Sequence, residues 1–145
     1  MNEYKDGSRG LYQREECAKQ LISFEGLVFT GRNGKNNVTP TDIDGYIQLD
    51  VENCFIFFEL KHSGGMPTGQ KDALAKLCDA VLAGGKNAVV IMAIHNVPAP
   101  EKILAKSAIV DEIYWNGKWH SVWHKQEALW DVTRNYIDYI KRKSA

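Results

Sequence analysis

The segment Cys54-Phe55-Ile56-Phe57-Phe58-Glu59-Leu60-Lys61 constrains this chain more than any other. Its apolar run is far shorter than the ~20 residues that a membrane span needs. A strand this apolar belongs at the centre of a sheet, covered on its faces. Side chains alternate along a strand, so Glu59 and Lys61 project to the same face. A carboxylate and an ammonium at the end of a buried strand are costly unless they are paired or bound to a metal. The chain must therefore supply partners for them.

Strand-sized segments recur on either side. Leu27–Thr30 reads as a short strand, Thr41–Leu49 as a longer one, and Asp50-Val51-Glu52-Asn53 as the turn into Cys54–Lys61. So short a link pairs the two strands antiparallel. Asn87–His95 is continuously apolar and is expected to be covered on both faces. Val110–Trp115 and Lys118–Trp123 flank Asn116-Gly117, the signal for a type I′ hairpin. Across that turn Tyr114 and Trp119 become cross-strand neighbours.

Helical periodicity appears in three places. Gly10–Glu25 places Leu11, Ala18 and Ile22 near one face, with Glu15 beside them. Pro67 opens a helix that runs to about Ala83, with Ala73, Leu74, Leu77, Ala80 and Val81 as its buried stripe. Gly84-Gly85 end it. Lys125–Lys143 carries Leu129, Val132, Tyr136 and Ile140 at helical spacing. The order is α-β-β-β-α-β followed by a hairpin and a helix. It describes an α/β fold, a mixed sheet flanked by helices, and 145 residues suit a single domain.

Charge narrows the function. Eighteen Lys and Arg balance eighteen Asp and Glu. That argues against a simple basic wrap around nucleic acid but not against a local basic groove. The balance is uneven: residues 41–60 carry five acids (Asp42, Asp44, Asp50, Glu52, Glu59) and no base, so the rest of the chain is net +5. Antiparallel pairing brings the face of Asp42 and Asp44 beside Glu59. Two carboxylates, the Leu60 backbone carbonyl and water make a hard oxygen site suited to Mg²⁺. Lys61 beside it can stabilise phosphate charge or orient a water.

Pro40-Thr41-Asp42-Ile43-Asp44-Gly45 followed by Glu59-Leu60-Lys61 resembles the PD-(D/E)xK nuclease superfamily, which includes restriction endonucleases, Holliday junction resolvases and many phage nucleases. The resemblance covers the chain from the first helix through Asn87–His95. It implies a restriction endonuclease-like core and a Mg²⁺-dependent DNA endonuclease, with Mn²⁺ able to substitute. Asp44 corresponds to the family's metal aspartate, with Asp42 as the alternative, and Glu59 and Lys61 to its glutamate and lysine. Members often carry a glutamate on the first helix after an Arg-Gly start; here Arg9-Gly10 precede Glu15 and Glu16, and Glu15 is preferred. Several branches place a glutamine at the start of the next helix, which corresponds to Gln70 in Thr68-Gly69-Gln70-Lys71. The implied partner is double-stranded or branched DNA, with a homodimer where both strands are cut. On this reading Lys61, Lys71 and Lys35 are left to face phosphates.

Plainer readings stand beside these. Glu59 and Lys61 also suit a surface salt bridge, Glu15 a solvated helix position, and Gln70 an ordinary helix start. A catalytically silent nucleic-acid-binding module, or a subunit of a larger DNA-processing complex, is the alternative function. Gly31-x-x-Gly34-Lys35 lacks the full phosphate-loop pattern. His120-x-x-x-His124 has zinc-like spacing but no accompanying ligands; His62 reads as a loop residue near the phosphate path rather than a ligand, and His95 as a strand-end residue. Trp115, Trp119 and Trp123 read as hairpin packing, with base stacking or a dimer surface as lesser alternatives. Cys17, Cys54 and Cys78 are expected to be reduced core thiols. The N-terminal MNEYKDGSRG has no apolar leader core, so a cytoplasmic location is expected, away from the membrane.

Overall fold

The computed structural model describes residues 23–31, 34, 37–38, 40–63 and 68–144. The sequence reads as one domain; contacts divide the chain into two compact units, Met1–Pro40 and Thr41–Ala145. In the first unit, β1 (Phe29–Thr30) pairs antiparallel with β2 (Asn37–Val38). The expected strand over Leu27–Thr30 is thus shorter, and its partner strand begins at Asn37. The helix expected over Gly10–Glu25 lies mostly outside the described residues. Its last residues are not helical: Leu27 N–H donates to the Phe24 carbonyl at 3.0 Å in a turn with Gly26 at φ 81°.

The second unit is an α/β fold. Its elements are β3 (Gly45–Leu49), β4 (Cys54–His62), α1 (Thr68–Ala83), β5 (Asn87–His95), β6 (Ile109–Trp115), β7 (Lys118–Ser121) and α2 (Leu129–Ser144). The strands form one mixed sheet in the order β3-β4-β5-β6-β7. β4 and β5 are parallel with α1 as the crossover, and every other neighbouring pair is antiparallel. No helix among the described residues is long and apolar enough to cross a membrane.

Strand alternation sorts the core into two layers. Cys54, Ile56, Val89, Ile91 and Ala93 pack with Leu129 and Ile140 of α2. Phe57, Ala88, Val90, Met92 and Tyr114 pack with Leu74 and Cys78 of α1. β5 is therefore covered on both faces, as its unbroken apolar run requires. Cys54 and Cys78 are free, buried thiols, as expected of core residues; Cys17 lies outside the described residues.

Helix α1 is rotated from its expected phase. Leu74 and Cys78 are its buried residues, with Ala75 and Val81 packed beside them, while Leu77 and Ala80 are exposed. Cys78, one turn beyond Leu74, turns the buried stripe toward Ala75 and away from Ala80. The helix ends as its glycines predict. Gly85 N–H donates to the Leu82 carbonyl and Lys86 N–H to that of Val81, with Gly85 at φ 83°, which is a Schellman closure.

The hairpin has Asn116 at φ 53° and Gly117 at φ 80°, a type I′ turn with Trp115 opposite Lys118. β7 stops at Ser121 and α2 starts at Leu129, both short of expectation. The reason is competing backbone bonding. Trp123–Lys125 form a 3₁₀ turn, Val110 N–H donates to the Glu127 carbonyl at 2.9 Å, and Leu129 N–H donates to the Ala108 carbonyl at 2.7 Å. This stitch ties the entry of α2 to the start of β6.

At Gly85 an added Cβ meets nothing within 4 Å, so its substitution tests backbone conformation alone. Gly85→Ala is expected to destabilise the unit by about 1 kcal/mol, read by urea unfolding at unchanged m-value.

Candidate active site

The site lies toward the carboxyl end of the parallel pair β4/β5, where open α/β sheets present their binding crevices. Four residues from three segments meet there: Asp44 before β3, Glu59 and Lys61 on β4, and Gln70 in the first turn of α1.

Glu59 is at the centre. It continues the face of Phe57 and is only 2 % exposed. Lys61 Nζ lies 2.7 Å from its Oε1, and Gln70 Nε2 donates to the same oxygen at 2.5 Å. Oε2 is buried and has no hydrogen-bond partner among the described residues. Burial pushes the Glu59 carboxyl above its ordinary 4.5; the Lys61 hydrogen bond opposes that shift, and the charge of Asp44 adds to it.

Asp44 does not stand on a strand face. The strand expected over Thr41–Leu49 begins only at Gly45, whose partner Phe58 is the last residue of β4 paired with β3. Asp44 replaces the next rung: its Oδ2 accepts the Leu60 N–H at 2.7 Å. The carboxylate thus satisfies a backbone donor that a longer β3 would have bonded. N–H and C=O of one strand residue leave on the same side, so the Leu60 carbonyl faces the edge that Asp44 caps. Asp42 is exposed on the approach to β3 and shares no strand face with Asp44.

Other expected residues fare differently. Glu15, Glu16 and Lys35 lie outside the described residues. Lys71 is half-buried and ion-paired. Its Nζ lies 3.0 and 2.9 Å from the two carboxylate oxygens of Glu112, and 4.9 Å from the centroid of the Trp119 ring. His62 and His95 end β4 and β5 as registered partners, with rings 5.3 Å apart. By strand alternation both belong to the face opposite Glu59 and Lys61. His120 Nε2 lies 3.1 Å from the Trp115 carbonyl oxygen, and no group of three metal-ligating side chains occurs among the described residues. Tyr114 and Trp119 are the expected cross-strand pair, with ring centroids 5.2 Å apart.

Glu112 was invisible to sequence parity. Ala93 pairs with Val110 but Met92 pairs with Glu112, so a bulge at Asp111 sends Val110 and Glu112 to opposite faces. The one sequence signal is the polar pair Asp111-Glu112 interrupting an apolar strand.

The donor chemistry fits a hard divalent cation. Asp44, Glu59 and the Leu60 carbonyl offer oxygen only, and Glu59 Oε2 is a buried acceptor left over. Comparison with family models, with curated proteins and with solved structures returned no match for this chain.

Burial of an ionised Glu59 opposes folding, which gives a signed pH dependence. Below the ordinary carboxyl value Glu59 is protonated in both states and has no effect. As pH rises through its raised folded value, the native state alone resists losing the proton, and stability falls. Glu59→Gln removes that loss. Its melting temperature is expected to exceed the wild type's at pH 8, by about 4 °C if the gain is near 1 kcal/mol. The difference should disappear at pH 4.

Proposed function

We propose that Thr41–Ala145 is a restriction endonuclease-like nuclease unit that hydrolyses DNA phosphodiester bonds with Mg²⁺. The observation that carries this reading is Glu59: a 2 % exposed carboxylate with one buried oxygen unpartnered, next to a second carboxylate and an ammonium. Such an arrangement works against folding and makes sense as a site kept for chemistry. The Asp-Gly…Glu-x-Lys resemblance supplies the reaction class.

Asp44, Glu59 and the Leu60 carbonyl would hold the ion. When bound, Mg²⁺ supplies a Lewis acid and lowers the pKa of water. The protein's own groups do the rest. Lys61 is 26 % exposed while Glu59 is covered, so its ammonium would be able to meet a phosphate oxygen. Gln70 fixes the Glu59 rotamer through Oε1 and leaves Oε2 as the free acceptor. Asp44, tied to the Leu60 N–H, is held at the end of β3 rather than swinging in solvent.

The alternative of a silent nucleic-acid-binding module has one observation behind it. Glu59 Oε1 is already doubly bonded by Lys61 and Gln70. Metal titration separates the two: DNA binding that is unchanged by a chelator, with no Mg²⁺ or Mn²⁺ affinity, belongs to the silent module.

Plasmid, single-stranded, nicked and branched DNA incubated with Mg²⁺ or Mn²⁺ tests the reading. Cleavage of at least one substrate is expected, falling about 100-fold or more in Glu59→Gln and in Lys61→Ala. Failure of the folded wild-type chain to cut any of them would contradict it.

A further inference from the structure

Glu59, Met92 and Glu112 are registered neighbours on three successive strands, β4, β5 and β6. Met92 is fully buried, and the two carboxylates flank it. Consecutive residues of the first turn of α1 reach these two carboxylates: Gln70 bonds Glu59, and Lys71 bonds both oxygens of Glu112. The helix start therefore straddles the sheet on two polar contacts, one inside the candidate site and one outside it.

The outer contact is anchored in turn. Lys71 lies over Trp119, which packs on Tyr114. The Tyr114 hydroxyl donates to Asp79 of α1, with Oδ1 at 2.9 Å and Oδ2 at 3.0 Å. Asp79 lies about 12 Å along the helix from Lys71. The β6–β7 hairpin thus holds α1 at two points, which sets both its axial position and its rotation.

We infer that Lys71 and Glu112 are positioning residues: their ion pair holds the first turn of α1 so that Gln70 keeps Glu59 Oε1 occupied and Oε2 free. This gives the hairpin, which lies outside the nuclease resemblance, a role in the site. Its consequence for cleavage rests on the proposed function; its structural content does not. Glu112 touches none of Asp44, Glu59 and Lys61 through its bonded oxygens, which are both given to Lys71. It acts through the helix.

The full chain tests this with two readouts. The first is the Gln70 side-chain amide in ¹⁵N-resolved NMR. In the wild type its Nε2 protons should be shifted from free glutamine and slow to exchange with water. Lys71→Met and Glu112→Gln should each speed that exchange roughly tenfold and move the signal toward free glutamine, while Lys71→Arg retains it. Lys71 and Glu112 are 26 % and 23 % exposed, so these variants should fold, and backbone protection across α1 verifies it. The second readout is cleavage. Glu112→Gln should lower kcat roughly tenfold with KM unchanged, and should lower it no further in a Gln70→Ala background. A Gln70 amide that stays put in both folded variants overturns the inference, as does full additivity with Gln70→Ala. If the wild type cuts no DNA, the nuclease reading fails and the amide readout still decides the clamp.

Discussion

Everything around the candidate site follows from placing one carboxylate where water does not reach. Glu59 sits toward the end of the apolar strand β4, and its neighbours are those a buried charge demands. Lys61, two residues on and on the same face, supplies the counter-charge. Gln70 supplies a neutral donor from the next element. Asp44 works against this arrangement by adding a second negative charge nearby. A fold optimised for stability alone would have little reason to keep Asp44 and Glu59 together. The unpartnered Oε2 is the residue of that conflict.

The sheet makes the conflict tolerable. β4 and β5 are locked parallel over nine registered pairs, and β5 is covered by a helix on each face. That rigid pair fixes where Glu59 stands. The crossover α1 leaves the end of β4 and returns over the same face, which is how Gln70 comes to lie above Glu59. The hairpin and its Lys71–Glu112 contact then hold α1 from the far side. Rigid strands carry Glu59 and Lys61, and the helix start bonds Glu59 through Gln70.

Much of this was legible in the sequence because it depends on short-range pattern. Asn116-Gly117 specifies its turn, Gly84-Gly85 its helix end, and the parity of Glu59 and Lys61 places them together. What was not legible depends on events that local pattern does not encode. Asp44 looks like one more residue of a strand, yet it ends the ladder by taking the Leu60 N–H with its side chain. Glu112 looks as though it shares a face with Val110, yet a one-residue bulge at Asp111 turns it toward α1. Lys71 looks like a free cation beside the site, yet it is spoken for by that hidden carboxylate. The phase of α1 departs from its apolar pattern because Cys78, a small thiol, occupies the buried position expected of Leu77.

On the proposed function, Asp44 and Glu59 are kept together to hold one divalent ion. The most direct measurement is a crystal structure of the chain soaked in Mn²⁺, read by anomalous scattering. One peak is expected, bonded to a carboxylate oxygen of Asp44 and to Oε2 of Glu59, and lost in crystals of Glu59→Gln. Saturating Mn²⁺ with no peak between these two carboxylates, and Glu59 Oε2 still without a partner, would contradict it.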